Sequence, residues 1–173
     1  MCFDVAVIGA GVTGAMITRE LSRYDISVAL IEKCGDVAMG STKANSAIVH
    51  AGFDAENGSL KAKLNVEGAA LMPAVCRELN VPYKGIGSFV VAYNDEEKAT
   101  LQVLYDRGVK NGVPDMEIID KARVKEMEPC ISDEAVAALW APTAGIVCPY
   151  ELAIATCVNA VENGAQLFRD CEV

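Results

Sequence analysis

The sequence predicts an α/β protein that opens with a parallel β-α-β unit and continues into part of a second, α+β region. Residues 3–8 and 27–31 are short, almost continuous apolar runs, as in strands buried on both faces of a parallel sheet. A helical stretch at 15–24 lies between them, and the whole unit takes about thirty residues, the length of a parallel crossover. After residue 80, further strand and helix patterns follow one another.

The segments after this unit are predicted from turn residues and periodicity. Residues 35–52 are rich in glycine, serine, threonine and asparagine, which predicts a loop. From Ser59 the chain is predicted to be helical, and Pro73 is expected to kink or divide that helix. Its apolar stripe is expected to consist of Leu60, Leu64, Leu71, Val75 and Leu79.

Capping residues predict where the later helices begin and end. Asn94 and Glu97 resemble a capping box, and Gly112 can cap the C-terminal end of the helix they open. Pro149 suits the first turn of a last helix that runs through Asn163. The other predicted elements are strands at 88–93, 116–119, 135–140 and 166–169, and a short helix that begins after Asp120 and ends before Pro129.

The composition excludes several classes of protein. Of 173 residues, 52% are hydrophobic and 23% charged, which is enough for a packed core and unlike a disordered chain. The net charge of −9 argues against nucleic acid or an anionic membrane as the main partner. Seven cysteines without C-x-x-C spacing indicate neither a disulfide framework nor a metal site. A reduced, cytoplasmic compartment is the natural expectation.

Residues 9–14 read G-A-G-V-T-G, the G-x-G-x-x-G pattern, between a predicted strand and a predicted helix. In a Rossmann-like unit Gly9 permits the tight turn, Gly11 lets the backbone approach a pyrophosphate, and Gly14 lets helix and strand pack closely. The helix N-terminus then offers N–H groups to the phosphates. The context makes this motif a strong signal for dinucleotide binding.

Glu32 ends the second strand, eighteen residues after Gly14. Its carboxylate can accept hydrogen bonds from ribose hydroxyls, and it would repel the 2′-phosphate of NADP. The choice between NAD and FAD depends on residues 40–46, which are crowded with hydroxyl and amide groups. Such a loop can hold a second phosphate or a ribityl chain, and the competing interpretation is an ordinary solvated loop.

Several stretches along the chain carry a family resemblance. They are FDVAVIGAGVTG, ALIEK, STKANSAIVHAGFD, GSLKAKLNVEG, GSFVVAYN, APTAGIVCPYELAIA and the closing CEV. In them the chain resembles the N-terminal part of FAD-dependent glycerol-3-phosphate dehydrogenases, within the D-amino-acid-oxidase-like group. The related L-2-hydroxyglutarate oxidases share shorter cores of the same motifs. Ala47 stands where this resemblance leads us to expect a glycine, so the local geometry near the flavin is in question.

The resemblance implies a set of FAD-binding residues and a division into domains. Residues 1–80 and 148–173 would form a discontinuous, incomplete FAD-binding domain, and 81–147 would begin the substrate domain. Val173 would contact adenine through its backbone, and Glu32 and Lys33 would lie by the adenosine ribose. The pyrophosphate, ribityl chain and flavin would be contacted by Gly9, Gly11, Val12, Thr13, Gly14, Thr42, Lys43, Asn45 and Ser46.

His50 is the only histidine of the chain. A lone histidine is more often a structural donor than a catalyst, but its place in IVHAG, next to the expected flavin loop, favours catalysis. Oxidation of a secondary alcohol removes a hydride from carbon and a proton from oxygen, and an imidazole suits that proton. Lys61 and Lys63 are interpreted as solvated residues of a helix and are left out of the site.

The leading functional prediction is a FAD-dependent glycerol-3-phosphate dehydrogenase that oxidises the secondary alcohol by hydride transfer to flavin. The alternatives are an L-2-hydroxyglutarate oxidase, a non-catalytic nucleotide-binding fragment and, less favoured, an NAD-dependent dehydrogenase. The expected partners are a phosphorylated or carboxylated small alcohol and an electron-acceptor subunit or quinone. The chain itself is expected to be an inactive fragment with exposed strand edges that favour self-association.

Overall fold

The structure, a computed structural model, describes residues 2–173, so residue 1 of the predicted FAD domain lies outside the described part. The described residues form two compact units. Unit 1 contains the chain up to Ala47, Val75–Tyr83 and Val147–Val173; unit 2 contains Ile48–Ala74 and Lys84–Ile146. Residues 48–74 therefore pack with the middle of the chain, and the predicted division into two domains stays a prediction.

Residues 2–173 contain fifteen helical and strand elements. In order they are β1 (Val5–Ile8), α1 (Val12–Leu21), β2 (Val28–Ile31), a 3₁₀ helix (Ser41–Ala44), β3 (Ile48–Val49), α2 (Leu60–Glu78), β4 (Tyr83–Lys84), β5 (Ser88–Ala92), α3 (Asp95–Asn111), β6 (Glu117–Asp120), α4 (Lys121–Met127), β7 (Ala137–Ala141), β8 (Gly145–Val147), α5 (Pro149–Glu162) and β9 (Gln166–Phe168).

Unit 1 is built on a parallel sheet of order β1-β2-β9. The predicted β-α-β unit is confirmed, and β2 is buried on both faces as expected. The same expectation is wrong for β1, because β1 is an edge strand of this sheet and Ile8 is 67% exposed. Side chains on both faces of the sheet are therefore buried at β2, whereas one face of β1 is exposed to solvent.

Helices α1 and α5 pack against each other beside this sheet, and small residues face the contact. The buried residues of α1 are Gly14, Ala15 and Thr18. Thr18 and its counterpart Thr156 on α5 are fully buried, and each hydroxyl donates to the carbonyl four residues earlier. These bonds satisfy both hydroxyls within their own helices, and Thr156 Oγ1 also lies 3.9 Å from the Met16 sulfur on α1.

Unit 2 is built on an antiparallel sheet of order β5-β7-β6, with Val90 opposite Leu139 and Ile119 opposite Ala138. Helix α3 packs on it through buried Leu101. Its predicted caps are confirmed, since Asn94 Oδ1 accepts from the Glu97 N–H at 2.8 Å and Gly112 closes the helix with φ +84°. A second small sheet in this unit pairs β3 with β8.

Helix α2 departs from its prediction in two ways. It runs unbroken from Leu60 to Glu78, so Pro73 does not divide it, and a kink at Pro73 stays a prediction. The predicted stripe is also on the wrong side, since Leu60, Leu64 and Leu71 are exposed. The buried side carries the smaller residues Ala62, Ala69 and Cys76, seven residues apart, which allow the helix backbone to approach its neighbours closely.

Other predicted boundaries also need correction. Helix α1 begins at Val12, three residues before the expected start, so Gly14 lies in its first turn. The loop predicted for residues 35–52 contains the 3₁₀ helix and the strand β3. Strands β4 and β8 were not predicted, because two or three residues are too few for a period-two pattern to be recognised.

Candidate functional site

The glycine-rich turn of unit 1 has the shape that the motif predicts. Gly9 has φ +97°, a conformation that favours glycine. A Cβ atom at Gly14 would lie 1.9 Å from the Gly9 carbonyl oxygen, and one at Gly11 would lie 3.1 Å from Thr42 Oγ1. Gly14 and Gly11 therefore allow close packing against the Gly9 carbonyl and Thr42, and of the three only Gly9 would have nothing within 4 Å of an added Cβ atom.

The second predicted loop meets this turn through Thr42. The buried Thr42 side chain accepts a hydrogen bond through Oγ1 from the Val12 N–H at 3.0 Å, at the start of α1. Asn45 stabilises the same loop, because its Nδ2 donates to the Thr42 carbonyl at 2.9 Å and its Oδ1 accepts from the Ala47 N–H at 2.8 Å. The two loops expected to hold the cofactor are thus adjacent within unit 1.

Glu32 is the most constrained of the predicted site residues. It is 8% exposed, and its two carboxylate oxygens accept from the N–H groups of Cys34 (2.9 Å) and Ala10 (2.8 Å). These bonds, that from Cys34 above all, outweigh the effect of burial and hold the pKa of Glu32 below its usual range. The side chain is therefore ionised at neutral pH and retains lone pairs for ribose hydroxyls.

The remaining cofactor-binding candidates of unit 1 lie at its surface. Lys33, Lys43, Ser46 and Val173 are exposed, as is Thr13 in the first turn of α1. The segment before Val173 runs beside the end of β2, where the Cys171 N–H donates to the Glu32 carbonyl at 3.0 Å. The structure brings this C-terminal segment next to Glu32, and the contacts of these side chains with a cofactor stay a prediction.

Ala47 adopts a left-handed conformation with φ +63°. The sequence led us to expect a glycine at this position, and the backbone has the geometry that glycine prefers. An alanine there carries a steric cost of about 1 kcal/mol. The backbone between Asn45 and β3 is therefore locally strained at Ala47.

His50 belongs to unit 2 and follows β3. It lines a cleft of about 120 Å³, together with Gly52, Phe53, Asp54, Ala55, Lys61 and Asn65. Asn65, on α2, donates from Nδ2 to the His50 carbonyl oxygen at 2.6 Å. Sequence reasoning did not select Asn65, because a single asparagine in an amphipathic helix carries no distinguishing pattern.

A larger cleft of about 690 Å³ lies in unit 1 between α5 and β9. Its walls are mainly apolar, with Val158, Val161 and Leu167 among them. Cys157 lies at this cleft, and burial raises the pKa of its thiol to about 11, so it is protonated and unsuited to nucleophilic attack. Within residues 2–173, no group of three or more histidine, cysteine or acidic side chains is arranged to hold a metal ion.

The residues of unit 1 fit a dinucleotide. The space beside Gly9 is open, helix α1 starts at the glycine turn, and Glu32 supplies an ionised acceptor at the end of β2. These are the groups that a pyrophosphate and an adenosine ribose require. In residues 2–173, no helix has the length and apolarity needed to cross a membrane.

Comparison with known proteins gives a family match over residues 4–173, to the model described as FAD dependent oxidoreductase. A glycerol 3-phosphate dehydrogenase of Caloramator mitchellensis is 54% identical over 171 residues, which are 99% of this chain and 36% of that protein. The mitochondrial L-2-hydroxyglutarate dehydrogenase of Nematostella vectensis is 38% identical over 173 residues, again 99% of this chain and 38% of that protein.

Solved structures give the same picture of the fold. The dithionite-reduced L-alpha-glycerophosphate oxidase of Mycoplasma pneumoniae, with FAD bound, matches with a TM-score of 0.94 and 31% identity over 99% of this chain and 45% of its own. Glycine oxidase from Geobacillus kaustophilus matches with a TM-score of 0.89 and 29% identity over 99% and 47%. The chain thus spans between about a third and a half of the length of the relatives it matches.

Proposed function

The chain belongs to the family of FAD-dependent oxidoreductases, and from that premise we propose that the whole protein oxidises the secondary alcohol of sn-glycerol 3-phosphate. The observation that carries the choice of substrate is a difference in identity over almost the same residues. It is 54% to a glycerol 3-phosphate dehydrogenase and 38% to an L-2-hydroxyglutarate dehydrogenase.

In this proposal unit 1 holds the cofactor. The turn at Gly9–Gly14 and the start of α1 receive the pyrophosphate, because Gly9 and Gly11 carry no side chains to exclude it. Glu32, ionised and fixed by two backbone N–H groups, accepts from the ribose hydroxyls. Thr42, Lys43, Asn45 and Ser46 contribute hydroxyl, amide and cationic groups toward the ribityl chain and flavin. When bound, the flavin is the hydride acceptor.

His50 takes the proton of the substrate hydroxyl in the proposed reaction. Alcohol oxidation leaves a carbonyl only if the O–H proton is removed as the hydride departs, so a nearby proton acceptor lowers the barrier. An exposed imidazole that lines a small cleft has the chemistry for this step. The competing role for His50 is a structural donor, and replacement by asparagine distinguishes the two.

Two alternatives remain open. An L-2-hydroxyglutarate oxidase is favoured by the second group of relatives, which are 34–39% identical to this chain. A non-catalytic nucleotide-binding role for the 173-residue chain would need only the glycine turn and Glu32 of unit 1. Four further points also stay proposals. They are the two-domain division, a quinone or protein electron acceptor, self-association and a cytoplasmic location.

The test is anaerobic mixing of the complete flavoprotein with each alcohol while flavin absorbance is recorded. Glycerol 3-phosphate is expected to bleach the flavin, and L-2-hydroxyglutarate is expected to leave it oxidised. The opposite result would overturn the substrate while leaving the family intact. His50→Asn is expected to keep flavin bound and to slow its reduction by roughly 10²–10⁴-fold, the usual effect of losing a general base.

A further inference from the structure

We propose that Asn65 is a positioning residue for His50 and acts through the main-chain carbonyl of the histidine. The idea rests on the proposed role of His50 as proton acceptor. Asn65 Nδ2 donates to the His50 oxygen at 2.6 Å, across fifteen residues of sequence. The bond joins helix α2 to the irregular segment that carries the imidazole, so it fixes the backbone from which that side chain extends.

The segment from His50 to Ser59 contains no helix or strand, and side chains satisfy several of its carbonyl groups. Besides the bond from Asn65, Asn111 Nδ2 donates to the carbonyls of Gly52 (3.0 Å) and Ala55 (2.8 Å). Arg107 donates to the Asp54 carbonyl at 3.0 Å. Because backbone carbonyls need partners, these donors on α2 and α3 determine the shape of the segment.

Asn65 binds the first residue of the segment, His50, which carries the imidazole. The next residue on α2, Val66, contacts Gly52 so closely that a Cβ atom there would lie 2.7 Å from Val66 Cγ2. Gly52 also has φ +110°, which glycine adopts readily. Two consecutive residues of α2 therefore fix the backbone on both sides of Ala51, whereas Asn111 binds only carbonyls that follow Ala51, those of Gly52 and Ala55.

A displaced imidazole would slow flavin reduction, because proton transfer requires that the imidazole lie within hydrogen-bond distance of the substrate hydroxyl. The His50 side chain is exposed, so its location depends chiefly on its own backbone. We expect loss of the Asn65 donor to slow flavin reduction about tenfold, less than loss of the imidazole itself. Substrate affinity should change by less than about threefold, since the anionic end of the substrate is not held by this bond.

Three neutral substitutions of similar size separate positioning from general loosening. Asn65→Leu removes the donor to His50, and Asn111→Leu removes the donors farther along the same segment. Asn163→Leu removes an equivalent bond in unit 1, from Nδ2 to the Asn159 carbonyl at 2.7 Å. Should Asn65→Leu fail to fold, Asn65→Ser provides a smaller change, because its hydroxyl is too short to reach the carbonyl.

The first readout is the imidazole NMR signal in the 173-residue chain, in which His50 is the only histidine. Asn65→Leu is expected to shift and broaden this signal, Asn111→Leu to affect it less, and Asn163→Leu to leave it in place. An unchanged signal in Asn65→Leu, or equal changes in Asn65→Leu and Asn111→Leu, would overturn the proposal whatever the substrate proves to be.

The second readout is the rate of flavin reduction in the complete flavoprotein. Asn65→Leu should reduce the rate about tenfold at nearly constant apparent substrate affinity, and Asn163→Leu should match the parent protein. If His50→Asn reduces flavin at the parent rate, the proposed role of His50 fails. If only Asn65→Leu does so, the role of His50 stands and the positioning role of Asn65 fails.

Discussion

The two candidate segments of this molecule are held by opposite kinds of hydrogen bond. In unit 1 the glycine turn and its neighbours donate backbone N–H groups to side-chain oxygens of Glu32 and Thr42. In unit 2 the segment after His50 accepts, through its backbone carbonyls, from side-chain nitrogens of Asn65 and Asn111. The first arrangement contains an ionisable acceptor, whereas these two amides are neutral. Of these two arrangements, only the one in unit 1 should therefore lose stability when its carboxylate, Glu32, is protonated.

The largest expected effect comes from adding a methyl group where α1 packs against the glycine turn. Gly14→Ala places a Cβ atom 1.9 Å from the Gly9 oxygen, a backbone atom that cannot move aside cheaply. We expect the free energy of unfolding to fall by about 3 kcal/mol or more. The matched control is Gly68→Ala on α2, where a Cβ atom meets nothing within 4 Å. That variant should gain about 1 kcal/mol from helix propensity, and urea denaturation measures both.

Glu32→Gln tests the ionisable half of the comparison. The amide cannot accept well from both the Ala10 and Cys34 N–H groups, so we expect a loss of about 2 kcal/mol at neutral pH. Because the folded pKa of Glu32 lies below its unfolded value, its ionised form stabilises the fold above the ordinary glutamate pKa. That contribution disappears as the pH falls through the folded pKa. The difference between parent and variant should therefore shrink as the pH falls below the ordinary glutamate pKa, and a gap independent of pH would contradict the assignment.

Asn111→Leu tests the neutral half. It removes two hydrogen bonds to carbonyls of the segment after His50, and we expect a cost of about 1.5 kcal/mol. The cost should be the same at pH 4 and pH 7, since no ionisable group takes part in these bonds. Chemical denaturation at both values provides the measurement. A cost that grows or shrinks between them would show that the two segments are not held as differently as the structure indicates.

The smallest effect is a gain in stability. Ala47→Gly relieves the left-handed backbone at φ +63°, while the added freedom of glycine in the unfolded chain offsets part of the benefit. We expect a net gain of about 0.5 kcal/mol. Thermal unfolding of the parent and the variant can detect it as a small rise in midpoint. A loss of stability would mean that the alanine methyl group makes contacts worth more than the strain.

The sequence predicted those parts of the fold that depend on local signals. The β-α-β unit, the Asn94 cap and the Gly112 cap were all found, since a few neighbouring residues determine each of them. The buried side of α2 was missed because the larger leucines dominate the apolar pattern while alanines make the close contact. The buried side of α2 is determined by packing against residues distant in sequence, and the pattern of the helix itself does not indicate that packing.

The candidate site divides in the same way. The conformation of Gly9, the close packing at Gly14 and the place of Glu32 at the end of β2 could be predicted because a spacing rule connects these residues, and their contacts with a cofactor stay a prediction. The bond from Asn65 to His50 could not, because it depends on the approach of a helix to a loop fifteen residues earlier. Left-handed Ala47 is intermediate: the family resemblance indicated an unusual residue there, and the structure supplied its backbone angle.

The contact between α1 and α5 has a consequence for how this chain can change over generations. Most of its buried positions are glycine, alanine or threonine, so little side-chain volume remains to be lost there. Most amino-acid replacements at a glycine or alanine position enlarge the residue. Random substitution will therefore be purged more strongly here than in a leucine-filled interior, where smaller replacements leave cavities but keep the chain fold intact. A deep mutational scan should record these helices as intolerant of added bulk while the exposed leucines of α2 accept polar residues freely.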